Sequence, residues 1–276
     1  MKKCTPTLLA GLALLVAAVA PVQAQAPADA ALQAQIASTH RTPAFAARDA
    51  ARHPYETLSF FGLKPTMTVV ELSPGGGWYT EILAPYLRDK GQLILAGDDP
   101  AAEQAYYQRS AARMQQKLAA SPALYDRAQV TVFAAGTGKL QYAPPASADL
   151  VLTFRNVHNW LSLGEAKTQA VFKSAFDSLK VGGTLGLVEH RLPASAVQSP
   201  KADSGYVQQA YVIRMAESVG FKFAGASEVN ANAKDTADHE GGVWALPPTF
   251  ANKDKDRARY EAVGESDRMT LKFTKP

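Results

Sequence analysis

Apolar and polar positions along this chain fall into short blocks whose period keeps changing. Residues 67–72, 92–96, 129–133, 148–154, 184–188 and 221–226 are apolar runs of strand length. The stretches between them change to helical spacing. Tyr79, Ile82, Leu83 and Tyr86 form one stripe within 78–87, and Ala170, Val171, Ala175, Phe176 and Leu179 another within 165–179. Residues 100–120 are helical in composition, with Pro100 suited to a first turn. Residues 206–219 predict a helix stopped by Gly220, and residues 52–62 a short helix ending at Gly62. Residues 268–273 alternate like a strand and follow a long irregular segment, so this strand is expected to run antiparallel. The pattern predicts an α/β fold: a doubly wound, seven-stranded, mostly parallel sheet with an antiparallel last strand.

The N-terminus departs from this rhythm. Lys2 and Lys3 precede an apolar run from Leu8 to Ala20, and small residues follow at Val22, Ala24 and Ala26. This three-part arrangement predicts an export signal over residues 1–26. The run is shorter than the roughly 20 residues a membrane-spanning helix needs, so no stable anchor is expected after cleavage. Cys4, the one cysteine, lies inside the signal, so the mature chain is expected to have no disulfide, thiolate metal site or cysteine nucleophile. Residues 27–60 read as a linker and helices, and 61–276 as one α/β domain. A periplasmic or secreted protein is expected.

Composition adds little. Of 276 residues, 47% are hydrophobic and 20% charged, as in an ordinary globular protein. The formal charge of +4 falls to +2 without Lys2 and Lys3, too weak and dispersed to point to nucleic acid. A small-molecule substrate is the expected partner; oligomeric state is not legible.

The candidate chemistry gathers at strand ends. The first strand runs through Glu71 into Ser73-Pro74-Gly75-Gly76-Gly77, and a helix follows. Such a loop lets backbone approach a nucleotide-like ligand, and Glu71 ends an apolar run where a lone carboxylate needs a partner. Asp98 and Asp99 follow the second strand, where either suits paired ribose hydroxyls or a helix cap. Arg155, Asn156, His158, Asn159 and Trp160 follow the fourth strand, and Glu189-His190-Arg191 the fifth. In a parallel sheet all these ends share one edge, beyond which ligands bind. His158 is the first candidate general base and His190 the second. Trp160 suits stacking on an adenine or aromatic substrate. Asp235, Asp238 and His239 suggest a divalent metal at first sight, but further ligands are not evident and Asp commonly caps turns, so no metal is expected.

The strand order and the 71–77 loop resemble a class I S-adenosylmethionine-dependent methyltransferase. Four segments together resemble a narrower branch of exported predicted methyltransferases of unknown substrate: residues 71–80, Phe154-Arg155-Asn156-Val157-His158-Asn159-Trp160, residues 235–248 with Gly242-Val243-Trp244-Ala245-Leu246-Pro247-Pro248, and Gly264-Glu265-Ser266-Asp267-Arg268-Met269. Ser73 departs from the broader class, which has glycine there. The resemblance implies a Rossmann-like methyltransferase fold with S-adenosylmethionine as cofactor. It implies cofactor contacts from Glu71, Ser73, Gly75, Gly76, Gly77, Asp98, Asp99, Arg155 and Asn156. Trp78, Tyr79, His158, Asn159 and Trp160 would face a small acceptor. Export motivates a second reading, a binding protein for a nucleoside or aromatic molecule that kept the fold without the chemistry. A nicotinamide-dependent oxidoreductase fits less well, because the glycines do not occupy the first, third and sixth positions of that fingerprint.

Overall fold

The computed structural model describes Met1 and residues 29–276; apart from Met1, the expected export signal lies outside the described residues. Helices α1 (Ala30–Ile36), α2 (Pro43–Ala46), α3 (Asp49–Arg52) and α4 (Pro54–Phe61) fill most of the stretch before the sheet. Strand β1 (Thr68–Leu72), α5 (Thr80–Leu87), β2 (Gln92–Gly97), α6 (Ala105–Ala120), α7 (Pro122–Tyr125) and β3 (Gln129–Val132) come next. The second half comprises β4 (Ala148–Phe154), α8 (Val157–Ser162), α9 (Glu165–Ser178), β5 (Leu179–Leu192), β6 (Val207–Gln208), α10 (Gln209–Ser218), β7 (Lys222–Ser227), α11 (Arg257–Val263) and β8 (Arg268–Thr274).

The strands lie in the order β3-β2-β1-β4-β5-β8-β7, with the short β6 paired to β5 off this path. Strands β1 to β5 pair in parallel, whereas β8 is antiparallel to both β5 and β7. The fold class is the one the sequence predicts, including the reversed last strand. Three details differ. The helix expected from Pro100 begins at Ala105, because Asp99 builds a turn by accepting from the Ala101 N–H at 2.9 Å and the Ala102 N–H. Strand β5 runs well past both ends of the expected 184–188. Residues 157–162 form a helix rather than a loop.

Strand alternation explains why the sheet is covered on both faces. Val69, Leu93, Leu95, Leu150 and Leu152 share one core cluster with Leu58, Ile82, Leu83 and Leu87 of α4 and α5. The intervening Val70, Leu72, Ile94, Ala96 and Val151 point the other way, into a cluster with Val171, Phe172 and Ala175 of α9 and Val212, Met215 and Ala216 of α10. Each fully buried Val or Leu contributes about 1.5–3 kcal/mol, so the alternation strongly specifies strand register.

The N-terminal helices are seated on this sheet. Phe61 of α4 lies flat over Gly186 of β5, where an added Cβ would come within 2.6 Å of the ring. The glycine therefore fixes how closely α4 approaches, and with it the position of the preceding α3. Gly186→Ala is expected to lose about 1–3 kcal/mol of stability through overpacking. Urea denaturation of Gly186→Ala, Phe61→Leu and the double variant checks this: removing the ring should recover part of the loss, and strictly additive losses would refute the contact.

Candidate functional site

Parallel pairing brings the carboxyl ends of β1, β2, β3, β4 and β5 to one edge, and two cavities open there. The smaller, about 210 Å³, lies over the ends of β2 and β3 and is lined by Gly97, Asp98, Met114, Thr131 and Val132. The larger, about 340 Å³, lies between the β1 and β4 ends and the N-terminal helices. Pro74 and Gly75 line both, so the glycine loop forms the ridge between them.

The loop leaves β1 through Ser73, whose N–H donates to the Ala96 carbonyl at 2.9 Å. Ser73 has φ +51°, the left-handed conformation that glycine adopts freely. The serine therefore occupies the turn a glycine would make, at a backbone strain of about 1 kcal/mol. Gly75 has φ +58°, and a Cβ built there would meet nothing within 4 Å, so the ridge presents bare backbone to open space.

Glu71 is buried with 2% exposure and accepts a 2.7 Å hydrogen bond from the Thr80 hydroxyl at the start of α5. Burial outweighs that bond and raises its carboxyl to about 7. The two aspartates after β2 have separate jobs. Asp99 pairs with Lys139, caps the turn at Ala101 and lines neither cavity, so of the two alternatives left open in the sequence it takes the cap. The Lys139 hydrogen bond holds its carboxyl below the usual range. Asp98 lines the smaller cavity with no side-chain hydrogen bond or ion pair among the described residues. Beside it the buried Thr131 Oγ1 has no partner either.

Helix α8 sorts the residues after β4. Successive residues turn by about 100°, so His158 faces the larger cavity, Asn159 points to solvent and Trp160 enters the core. Trp160 packs edge-on against Phe133 and Phe172, each ring centroid 6.0 Å away. Asn159 and Trp160 are therefore corrected as substrate contacts. Arg155 and Asn156 both line the cavity. Asn156 Nδ2 also donates to the Leu72 carbonyl at 3.2 Å, tying the ends of β1 and β4 together. Trp78 and Tyr79 form an aromatic wall: Trp78 Nε1 donates to the Phe45 carbonyl at 3.0 Å, and Tyr79 stacks on Phe154 with centroids 3.6 Å apart.

His158, Glu189 and His190 are a group of three possible ligands whose donor atoms lie within 4.8 Å of one another. Hydrogen bonds already occupy the group. His158 Nδ1 donates to Glu189 Oε1 at 2.9 Å, which also accepts from the His190 N–H at 2.8 Å, while Oε2 accepts from the His158 N–H at 3.2 Å. Glu189 thus fixes the His158 tautomer and leaves its Nε2 free. His190 Nδ1 bonds to the Ser266 hydroxyl at 2.6 Å. Burial, then the charges of His158, Arg155, Arg268 and Arg52, push His190 well below its usual range, so it is neutral at pH 7. Sequence spacing gave no hint of the Glu189–His158 contact, which joins two strand ends through tertiary structure. The Asp235 and His239 pair is a structural node instead. Asp235 accepts from His239 Nε2 at 2.8 Å, the Tyr206 hydroxyl at 3.0 Å and the Asp267 N–H at 2.7 Å.

The larger cavity has a roof and a side wall that the strand-end rule did not reveal. Val243, Trp244, Pro247, Pro248 and Thr249 cover it, with Trp244 half exposed and edge-on to His158 at 6.0 Å. Phe45, Arg48 and Arg52 close it from the N-terminal helices, and Glu265 and Ser266 from the segment before β8. Phe45 belongs to α2, Arg48 precedes α3 and Arg52 ends it, so no single helical spacing signalled that they converge.

No protein-family model matches the chain, and no curated protein matches it. Solved structures do. A SAM-dependent methyltransferase from Aquifex aeolicus superposes with TM-score 0.54 at 14% identity, covering 83% of this chain and 93% of that one. The [4+2]-cyclase SpnF gives TM-score 0.54 at 15% identity, covering 82% and 80%. The pyocyanin biosynthetic protein PhzM gives 0.53 at 13%, covering 84% and 56%. At these identities the likeness establishes the Rossmann-like methyltransferase fold.

Glu71 supplies a pH test. Its folded-state carboxyl titrates near 7, above the model-compound value of 4.5, so the fold binds the proton more tightly than the unfolded chain. Stability from this group is full below about pH 4.5 and is lost as pH rises toward 7, by about 3 kcal/mol. Glu71→Gln is expected to be more stable than the parent at pH 8 and equal to it at pH 4. Urea midpoints across that range measure the difference, and a pH-independent gap would contradict a raised carboxyl.

Proposed function

We propose that this protein is an exported enzyme that transfers a methyl group from S-adenosylmethionine to a small molecule. The observation that carries the reading is the pair of cavities meeting at Pro74 and Gly75, one lined by unpaired polar groups and the other by an oriented histidine. The residues present fit the cofactor. Asp98 offers a carboxylate for two ribose hydroxyls, the orphaned Thr131 Oγ1 offers a polar contact in the same cavity, and the open face above Gly75 accepts close approach of a ligand. Thr131 was not among the residues expected from sequence.

When bound, S-adenosylmethionine supplies an electrophilic methyl carbon on a sulfonium, so the protein's task is alignment and proton removal. His158 Nε2 takes the acceptor's proton, and Glu189, bonded to Nδ1, holds the ring and stabilises the imidazolium that forms. His190, neutral and held by Ser266, is a polar wall beside it. Trp244 and Pro247 cover part of the site.

Isothermal calorimetry on signal-free protein tests the reading. S-adenosylmethionine and S-adenosylhomocysteine should bind, Asp98→Ala should weaken both by about tenfold or more, and Asp99→Ala should lower stability with little effect on affinity. Absence of heat at about millimolar ligand would overturn it. A competing reading is binding without methyl transfer, favoured by the fold's likeness to a protein described as a [4+2]-cyclase. A nucleoside other than the methyl donor, found by mass spectrometry on protein from its native compartment, would select that alternative.

A further inference from the structure

The wall of the larger cavity formed by the N-terminal helices carries an excess of positive charge. Arg48 and Arg52 approach from α3 and its start, Arg155 from the end of β4 and Arg268 from β8, all around the carboxylate of Glu265. Glu265 Oε1 accepts from Arg48 Nε at 2.6 Å, and Oε2 from Arg52 Nε at 3.1 Å and Arg268 Nη1 at 2.7 Å. That carboxylate serves three guanidiniums and leaves the fourth without a partner. Among the described residues the Arg155 side chain makes no hydrogen bond or ion pair, although it lines the cavity from a left-handed backbone at φ +60°. Arg52, only 3% exposed, also lines the cavity, and its Nη2 is buried without a partner, as is Nη2 of Arg48. Buried donors in native proteins almost always find partners, and four guanidiniums around one carboxylate repel one another. Burial and these neighbouring charges bring Arg52 down to about 9 and Arg155 to about 10.

The methyl donor, even if its one carboxylate met a guanidinium, would not offset the wall's excess charge. It carries a sulfonium and an ammonium against one carboxylate, so its net charge is positive. We propose that Arg48, Arg52 and Arg155 form an oxyanion subsite for the methyl acceptor, which carries a carboxylate or phosphate group that the guanidiniums clamp within reach of His158. The inference rests on the methyl-transfer reading. Planar guanidiniums with free donors suit both groups, since each presents paired oxygens to a fork of N–H groups. The neighbouring Ser266, Glu265 and His190 place the subsite against the imidazole pair, so an acceptor anchored by its anion presents the rest of its body to the proposed base.

Binding of inorganic phosphate and of benzoate to signal-free protein tests the subsite, by calorimetry at ionic strength matched with chloride. At least one is expected to bind, and the preferred probe tells phosphate from carboxylate acceptors. Binding should persist when S-adenosylhomocysteine is present. Arg155→Gln should weaken the preferred anion by about tenfold and S-adenosylhomocysteine by less than about threefold. Its melting temperature should equal or exceed the parent's, because a repulsive charge leaves; a structural arginine would lower it. Arg48→Gln, at a more accessible position, should weaken the anion in the same direction. The inference falls if neither anion binds better than chloride. It also falls if S-adenosylhomocysteine abolishes anion binding, and Arg155→Gln weakens S-adenosylhomocysteine about tenfold while leaving 5′-methylthioadenosine, which lacks the carboxylate, unchanged. Anion binding that depends on Arg155 without any binding of S-adenosylhomocysteine would keep the subsite and remove the methyl-donor reading instead.

Discussion

One carboxylate organises the larger cavity. Glu265 receives guanidiniums from the N-terminal helices and from β8, so elements more than 200 residues apart in the chain are tied at one point. Burial alone would raise its carboxyl, but Arg52, Arg268 and Arg48 outweigh that and bring it to about 2, so it remains ionised across the range in which proteins are stable. Without it the arginines would face one another across a buried space. The contact of Phe61 with Gly186 sets how far α4 can approach the sheet, and Glu265 sets where α3 comes to rest. Together they wall one side of a sheet edge that would otherwise lie open to solvent.

The two cavities divide the chemistry by charge. The smaller is lined by one free aspartate, and the larger by arginines on one side and by His158, backed by the buried Glu189, on another. Glu71 lies on the β1 side of the ridge with its carboxyl shifted toward neutrality by burial. A cationic ligand there would draw out its proton, since an opposite charge favours the ionised form. Ligand charge and protonation of Glu71 are thus linked within one site.

The strand pattern exposed most of the architecture because a parallel sheet buries both faces and writes itself as apolar blocks. The 71–77 loop, Asp98, Arg155 and His158 were legible for the same reason: they sit at strand ends, and strand ends share an edge. Trp160 and Asn159 were misread because a six-residue helix rotates neighbours apart, and a tight run of polar letters does not reveal that rotation. Asp98 and Asp99 could not be separated in sequence because only Lys139, forty residues on, decides which one is free. Arg48, Arg52, Glu265 and Trp244 belong to segments distant from every strand end used for the prediction. Their role depends on tertiary packing. Residues 235–248 and 264–269 did carry a signal, and part of each segment closes over the larger cavity, with Trp244 and Glu265 at its lining.

The bare ridge at Pro74 and Gly75 has a geometric consequence. A molecule that occupies both chambers must cross the fixed ring of Pro74 and the bare backbone of Gly75, neither of which can swing aside as a long side chain would. A two-headed molecule with a joint between its heads follows such a ridge more easily than a flat, stiff one of the same length.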